Sequence, residues 1–346
     1  MKALVYHGLG KINLEDKPYP KIENPTDCIV KITTTTICGT DLHIVKGDVP
    51  TVEPGRILGH EGVGIIEAIG EGVSNFCVND KVLISCITSC GKCSFCKKQM
   101  YSHCELGGWL LGHKIDGTQA EYVRIPFADT SLHAIPLNMN DEEIVMFSDI
   151  LPTGFEAGVL KGQIKLGDTV AIVGAGPIGL ATLLTAQFYS PSEVIMIDLD
   201  DHRLEVAKRL GATTIINANS TAFINNILDL TNQKGVDVAI EAVGTPEAFD
   251  ICQSIIGPGG HIANIGVHGK SVNLHLEKLW DQNITLTTAL VDTFTIPTLL
   301  KAYMSGKLDP KHLITHHFDL KDVLQAYATF ANATDQHTLK VILKNR

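Results

Sequence analysis

The chain has 346 residues, of which 45% are hydrophobic and 19% charged, and its formal net charge is −10. This length and composition predict a globular protein of two domains and argue against long disorder or a fibrous repeat. The acidic balance argues against nucleic-acid binding, which requires clustered Lys and Arg. Because no signal-peptide core and no run of about 18 apolar residues occurs, we expect a soluble, cytoplasmic protein with no membrane partner.

Residues 1 to about 150 predict a mostly β domain with irregular loops. Short β-type runs occur at 28–35, 62–69 and 81–87, and Gly, Pro and Asp separate them.

After Asp149 the pattern changes to alternating strands and helices. We predict strands at 169–173, 194–197, 214–216, 236–241 and 261–265, and helices at 153–160, 178–189, 203–210 and 222–230. Such alternation predicts a doubly wound parallel sheet. We therefore assign 153–290 to this second domain, and 1–152 together with 291–346 to the first.

Four of the nine cysteines lie close together in the first domain. Two successive C-x-x-C steps are followed by a seven-residue loop and a fourth cysteine; the residues are Cys90, Cys93, Cys96 and Cys104. In a reducing cytosol this density predicts metal binding rather than disulfides. Four thiolates complete a tetrahedral zinc site and leave no open position, so this zinc is expected to be structural.

A glycine fingerprint follows the predicted strand at 169–173 and begins the next helix. Its glycines allow a tight turn, close approach of the backbone to a pyrophosphate and close helix packing, and the helix N-terminus attracts the phosphates. The predicted cofactor-binding residues of this loop are Gly174, Gly176, Pro177, Ile178 and Gly179.

Asp198 ends the next predicted strand, about 20 residues beyond the fingerprint. A carboxylate there accepts hydrogen bonds from the adenosine ribose and repels the extra phosphate of NADP, which predicts NAD. The alternative is that Asp198 caps the helix near His202. Arg203 is a second candidate ribose contact, and its alternative is a solvated surface charge.

Cys38 in TICGTDLH and His60 in GHEGVG are candidate ligands of a catalytic zinc. Such a zinc needs about three protein ligands and one open position. From the residues alone, Cys38 is more often a small buried hydrophobe and His60 a core histidine than either is a metal ligand.

Five motifs, in order and across nearly the whole chain, resemble the medium-chain zinc-dependent alcohol dehydrogenase superfamily. They are CGTDLH at 38–43, GHEG at 59–62, the cysteine cluster at 90–104, Asp149 followed by PTG at 152–154, and the glycine fingerprint. The bacterial NAD-linked alcohol and secondary-alcohol dehydrogenases are the most similar branch. The resemblance implies a GroES-like β-barrel and a Rossmann domain with an active site in the cleft between them. It also implies a homotetramer, with a dimer as the second possibility.

By the same resemblance Cys38, His60 and Asp149 are the catalytic zinc ligands, and Glu61 is a possible fourth or exchangeable ligand. The Asp149 position is a cysteine in the animal enzymes, whereas some bacterial secondary-alcohol dehydrogenases resemble this chain in having aspartate. A carboxylate is a harder ligand than a thiolate, so we expect a more Lewis-acidic and looser site.

The resemblance assigns further roles outside the ligand set. Thr40, the cofactor ribose and His43 would relay the alcohol proton to solvent, although in isolation the two residues are typical of a helix cap and a surface histidine. Trp109 would form a wall of the substrate pocket, or else a core tryptophan. The remaining expected cofactor contacts are Thr153, Ile265 and Val267 at the nicotinamide and Lys340 at the phosphates.

The predicted activity is oxidation of small primary or secondary alcohols to aldehydes or ketones, with hydride transfer to NAD and two zinc ions per chain, and the reverse reaction. The apolar segment around Trp109 favours this over a polyol or threonine dehydrogenase of the same superfamily, which needs polar groups to hold its substrate. A non-enzymatic NAD- or zinc-binding scaffold is the other alternative. It predicts missing ligands, whereas Cys38, His60 and Asp149 are present.

Overall fold

The computed structural model describes residues 1–345, which form two compact units. Unit 1 combines Met1–Asp149 with the segment from Asp292 onward, and unit 2 is Ile150–Val291. The expected boundaries were 152/153 and 290/291. Within residues 1–345, no helix has both the length and the apolar character that crossing a membrane requires.

Unit 1 contains a three-stranded sheet of order β2-β1-β4 and a seven-stranded sheet of order β15-β16-β3-β5-β6-β8, in which β7 also pairs with β3. The pair β15 and β16 is parallel, and the other ladders are antiparallel. The strands are β1 (Lys2–Tyr6), β2 (Ile12–Asp16), β3 (Cys28–Thr36), β4 (Arg56–Ile57), β5 (Gly62–Ile69), β6 (Lys81–Ile84), β7 (Tyr122–Ile125), β8 (Leu132–Ala134), β15 (Ile314–Asp319) and β16 (Lys340–Lys344).

Alternate residues of β3 enter the core of the large sheet. Cys28, Val30 and Ile32 pack with Ile66 and Ile84 in one buried cluster, as the two-residue period of a strand requires. The helices of unit 1 are α1 (Gly39–Lys46), α2 (Ala128–Ser131), α3 (Asp141–Ile144), α10 (Ile296–Met304) and α11 (Val323–Ala331).

Unit 2 is a six-stranded parallel sheet of order β11-β10-β9-β12-β13-β14. The strands are β9 (Thr169–Val173), β10 (Glu193–Asp198), β11 (Thr214–Asn217), β12 (Val236–Glu241), β13 (Ile256–Asn264) and β14 (Thr285–Thr288). The helices are α4 (Ile150–Thr153), α5 (Pro177–Ala186), α6 (Asp201–Arg209), α7 (Phe223–Leu230), α8 (Pro246–Ile255) and α9 (Leu276–Leu279). The strand order reverses between β9 and β12, which is the doubly wound topology that the alternation predicted.

One predicted helix of unit 2 has a different form. The chain expected to be helical at 153–160 begins earlier, as α4, and continues as a π-helix over Gly154–Leu160. Two glycines bring this segment against α5: a Cβ at Gly154 would lie 2.7 Å from the Thr182 nitrogen, and one at Gly158 would lie 2.8 Å from Thr182 Cγ2. The helices therefore approach more closely than side chains at 154 and 158 would allow.

Candidate metal and cofactor sites

The four clustered cysteines of unit 1 surround one point. Ligand atoms of Cys90, Cys93, Cys96 and Cys104 all lie within 4.8 Å of one another, and Cys90 Sγ is 3.9 Å from Cys96 Sγ. A Zn–S bond of about 2.3 Å places the sulfurs of a tetrahedral site about 3.8 Å apart. The donor set and its spacing therefore fit a four-thiolate zinc.

Backbone N–H groups support this thiol cluster. The Cys90 N–H donates to Cys104 Sγ at 3.2 Å, and the Cys96 N–H donates to Cys93 Sγ at 3.5 Å. Such bonds to backbone N–H groups lower the pKa of Cys93 to about 6, whereas burial raises the pKa of Cys96 to about 12. Zinc binds the thiolate form, so loading the cluster releases protons.

The second cluster contains the residues that were expected to hold the catalytic zinc. Asp149 Oδ2 lies 3.3 Å from His60 Nε2 and 3.7 Å from Cys38 Sγ, and Glu61 presents a carboxylate oxygen within 4.8 Å of the other ligand atoms. Zinc bond lengths imply about 3.4 Å for a nitrogen–oxygen pair and about 3.6 Å for a sulfur–oxygen pair in a tetrahedral site. The cluster therefore fits a zinc ion.

Three separate segments position these ligands. Cys38 is the N-cap of α1, Glu61 immediately precedes β5, and Asp149 ends the first part of unit 1. His60 follows Gly59, whose φ is +92° and whose Cβ would lie 2.6 Å from Gln119 Cγ. Glycine is required there because another residue would clash and strain the backbone beside the ligand.

Burial shifts the pKa values of the candidate ligands in this cluster. It raises the pKa of the Cys38 thiol and of the Glu61 carboxyl. Burial alone would lower the pKa of His60, but hydrogen bonds to Asp149 and Cys38 outweigh it and the net shift is upward. Zinc requires a thiolate and a neutral imidazole, so its binding would displace protons from this cluster as well.

Asp41 lies behind His60 and was not singled out from the sequence. It is 1% exposed, and its Oδ1 is 3.8 Å from His60 Nδ1. Its Oδ2 accepts hydrogen bonds from the Cys38 N–H at 2.9 Å and from Gln119 Nε2 at 3.0 Å, while the Tyr327 hydroxyl donates to Gln119. Carboxylates that accept a hydrogen bond from the outer N–H of a metal-ligating histidine orient its ring, and Asp41 Oδ1 lies just beyond that distance. The sequence signal that could have identified Asp41 is its position in the CGTDLH motif.

Cys86 also contacts the cluster, although its sequence position gave no indication of this. Its Sγ lies 3.7 Å from Asp149 Oδ1, and its N–H donates to the Ser148 carbonyl at 3.1 Å. The two oxygens of Asp149 are thus divided between the candidate ligand cluster and a buried thiol.

Lys340 differs from the expectation that it binds the cofactor phosphates. Its side chain is 1% exposed, and its Nζ lies 2.7 Å and 3.0 Å from the two carboxylate oxygens of Glu61 and 3.2 Å from the Ile37 carbonyl. Because a buried ammonium needs a counterion, these contacts hold its charge inside unit 1. Within the described residues, Lys340 is therefore a partner of Glu61.

Thr40 and His43 lie on α1 beside the cluster. Thr40 Oγ1 is 3.7 Å from Cys38 Sγ, and the His43 ring is 45% exposed with Nδ1 2.8 Å from Asp48 Oδ2. The Trp109 ring packs on His113 with 4.4 Å between centroids, and its centroid is 6.3 Å from that of His60. A hydroxyl and an aromatic ring thus lie near the candidate ligands, and a half-exposed imidazole lies on the same helix as the hydroxyl.

The glycine fingerprint of unit 2 forms the turn between β9 and α5. Gly174 has φ +106°, and a Cβ at Gly179 would lie 1.8 Å from the Gly174 carbonyl oxygen. Gly176 is the N-cap of α5, whose first residues are Pro177 and Ile178. The turn therefore presents backbone N–H groups at a helix N-terminus, which suits a pyrophosphate.

Asp198 contacts this turn directly. Its Oδ2 accepts a hydrogen bond from the Ala175 N–H at 2.6 Å. The cap of α6 is Asp200, which accepts from the N–H groups of His202 and Arg203, so the helix-capping alternative for Asp198 does not apply. Arg203 Nη1 is 3.9 Å from the position of a Cβ on Gly176, which places this guanidinium at the fingerprint.

The expected nicotinamide contacts lie at two places in unit 2. Thr153 ends α4 and is half-buried. Ile265 and Val267 follow β13, and Val267 is 71% exposed.

The combination of the sheets of unit 1, the parallel sheet of unit 2 and the two clusters of candidate metal ligands is typical of a zinc-dependent dehydrogenase. Residues 24–136 match the alcohol dehydrogenase GroES-like domain, and residues 177–304 match the zinc-binding dehydrogenase domain. An alcohol dehydrogenase from Cupriavidus necator is 36% identical and aligns over 99% of this chain and 98% of its own length. The chain belongs to the medium-chain zinc-dependent alcohol dehydrogenases, a family of oxidoreductases, and the predicted fold class is confirmed.

Solved structures support the same assignment. Zinc dependent alcohol dehydrogenase 2 from Streptococcus pneumonia, in its apo form, has a TM-score of 0.96, is 56% identical, and matches 100% of this chain and 98% of its own. A protein from E. coli CFT073, described as a short chain alcohol dehydrogenase and complexed with NADH, has a TM-score of 0.89, is 28% identical, and matches 99% of both chains.

Proposed function

We propose that the protein oxidises small primary or secondary alcohols to aldehydes or ketones with NAD as the hydride acceptor, and catalyses the reverse reaction. The observation that carries this proposal is the cluster of Cys38, His60 and Asp149, whose separations match tetrahedral zinc, with Trp109 beside it.

Cys38, His60 and Asp149 would hold the catalytic zinc, with Glu61 within reach, and Cys90, Cys93, Cys96 and Cys104 would hold the structural one. When bound in an open site, zinc is a Lewis acid that lowers the pKa of an alcohol hydroxyl. Thr40 Oγ1, which is 3.7 Å from Cys38 Sγ, would accept the hydroxyl proton. His43 is the half-exposed imidazole of α1 from which that proton would leave for solvent.

The preference for NAD rests on Asp198. Its carboxylate lies against the fingerprint turn through Ala175, where it would accept hydrogen bonds from ribose hydroxyls and repel a ribose phosphate. The backbone N–H groups at the start of α5 would bind the pyrophosphate. The relative complexed with NADH supports this assignment.

The preference for simple alcohols rests on Trp109, whose large apolar ring lies against that of His113 and 6.3 Å from that of His60. A polyol or threonine dehydrogenase must pair the additional polar groups of its substrate.

The decisive experiment is a kinetic screen of ethanol, 2-propanol, benzyl alcohol, sorbitol and threonine, with NAD and NADP in parallel, on protein of measured zinc content. We expect turnover of the simple alcohols with NAD and about two zinc per chain, one for each cluster. A preference for threonine or sorbitol would refute the substrate class. About one zinc per chain without turnover would support a non-enzymatic scaffold.

We further propose a cytoplasmic homotetramer, with a dimer as the second possibility. The four-thiol cluster suits a reducing compartment. The edge strand of the unit 2 sheet is β14, and large apolar side chains are exposed in the segment that precedes it, including Trp280 at 77% and Leu276 at 59%. Such an edge is suited to pairing with another copy. Trp280→Asp should reduce the mass measured by light scattering, and an unchanged mass would contradict the use of this face.

A further inference from the structure

A buried carboxylate stands at the carboxyl end of β12 in unit 2. Glu241 is 0% exposed. Its Oε1 accepts hydrogen bonds from the N–H groups of Val243 at 2.9 Å and Gly244 at 2.7 Å. Its Oε2 accepts no hydrogen bond within residues 1–345 and lies 3.4 Å from His268 Nε2. Burying a carboxylate oxygen without a donor is unfavourable, so this arrangement needs a reason.

His268 joins that carboxylate to the segment that follows β13. Its Nε2 is 2.8 Å from Asn264 Oδ1, and Asn264 Nδ2 donates to the Gly266 carbonyl at 3.0 Å. Since Asn264 Nδ2 is the donor to Gly266, Asn264 Oδ1 is the acceptor in the contact with His268. His268 Nε2 therefore carries the proton. The His268 ring also meets Phe249 edge-on, with centroids 6.2 Å apart.

The backbones after β12 and β13 are packed with no space between them. The Ile265 N–H donates to the Glu241 carbonyl at 2.8 Å. A Cβ at Gly266 would lie 2.1 Å from the Gly244 nitrogen and 2.3 Å from Glu241 Oε2. This segment lies at the carboxyl edge of the parallel sheet, as does the fingerprint turn after β9, and ligands of doubly wound sheets bind at that edge.

We propose that Glu241 and His268 are positioning residues for the nicotinamide half of the cofactor. They hold 264–268 in one shape, so that Ile265 and Val267 form a fixed surface for the nicotinamide ring. Neither residue needs to touch the cofactor for this effect. The inference rests on the NAD assignment proposed above, and it identifies what orders that part of the site.

The test compares NADH with ADP-ribose, which keeps the adenosine, the pyrophosphate and both riboses but lacks the nicotinamide. Kd values are measured by fluorescence for NADH and by calorimetry for ADP-ribose, on wild type, His268→Ala, His268→Gln and Glu241→Gln. His275→Gln is the matched control, because His275 also lies 3.4 Å from a carboxylate of unit 2, that of Asp250.

We expect His268→Ala, which loses the hydrogen bond to Asn264, to weaken NADH binding about 3- to 10-fold. Glu241→Gln removes the negative charge 3.4 Å from His268 Nε2 and sets an amide N–H against it, and we expect a loss of NADH affinity of about the same size. ADP-ribose binding should change less than about twofold, and His268→Gln should recover part of the loss because its amide can donate to Asn264. His275→Gln should resemble wild type.

An equal loss for NADH and ADP-ribose, or no loss for either, would overturn the inference. Wild-type protein that binds neither ligand would instead overturn the NAD assignment itself. If His268→Ala does not fold, the ratio of the Kd for NADH to the Kd for ADP-ribose, measured in His268→Gln and in Glu241→Gln, still tests the inference.

Discussion

Replacing Asp41 by Asn should loosen the catalytic zinc while leaving the four-cysteine zinc in place. Asp41 Oδ1 faces His60 Nδ1 at 3.8 Å, and neither atom has a hydrogen-bond partner within residues 1–345. Asn has nearly the same shape and can still accept from the Cys38 N–H. The substitution therefore removes the negative charge behind the histidine and sets an amide NH2 group in the place of Oδ1.

The structure bounds the size of this effect. A full charge pair at this separation is worth about 4 kcal/mol at an effective dielectric constant of about 20. An imidazole bound to zinc carries only part of a charge, so the loss must be smaller. Partners behind a metal ligand typically contribute about 10- to 100-fold in metal affinity, or about 1.4–2.7 kcal/mol. We expect a zinc Kd weakened by that factor.

The assay is titration of metal-free protein with zinc against a chromophoric chelator, in which the four-cysteine cluster is an internal reference. Asp27→Asn is the matched control, because Asp27 is also a carboxylate of unit 1 at 1% exposure, bound to backbone N–H groups and to Arg124. It should lower the free energy of unfolding without changing the affinity of the catalytic site. Equal zinc affinity in Asp41→Asn and wild type would refute the reasoning.

Three further outcomes are expected. Asp149→Ala should lower the zinc content from about two to about one per chain and abolish turnover, because the carboxylate ligand is lost. Metal analysis and kinetics check this, and retained turnover would contradict the ligand assignment. Asp198→Ala should raise the kcat/KM for NADP relative to NAD, and an unchanged ratio would remove Asp198 from cofactor selection. Burial lowers the pKa of His133 to about 4. The unfolded chain then binds more protons below its own pKa of about 6.5, and wild type should lose about 2 kcal/mol of unfolding free energy between pH 7 and pH 5 through this histidine. His133→Gln should lose correspondingly less in urea unfolding at the two pH values, and equal losses would contradict the assignment.

Features with short-range sequence signals could be predicted. The spacing of Cys90 to Cys104 is enough to close a four-thiol cluster, and the order of strand, glycines, helix and Asp198 defines the fingerprint turn. In both cases the residues that meet lie within about 25 positions of each other, so local conformation largely determines their contact. The edge strand β14 and the helix α8 were missed, although Thr245 caps α8 and Ala248, Phe249, Cys252 and Ile255 are buried at helical spacing.

The surroundings of the catalytic cluster could not be predicted, because they depend on contacts between distant segments. Gln119 joins Asp41 to Tyr327, and no spacing rule connects these positions. Cys86 meets Asp149 only because their backbones pair through the Ser148 carbonyl. A cysteine outside a ligand motif gives no signal of such a contact.

Lys340 shows what such long-range contacts do for the chemistry. In the proposed zinc site, Cys38 as thiolate and Asp149 as carboxylate would supply two negative charges to balance Zn²⁺, with His60 neutral. Glu61 would add a third, and its buried charge would be costly without a partner. The ammonium of Lys340, 2.7 Å from Glu61, offsets that charge. Glu61 can therefore stay within reach of a metal without adding its own charge to the site, and Lys340 offsets that charge from β16, far from every candidate ligand in the sequence.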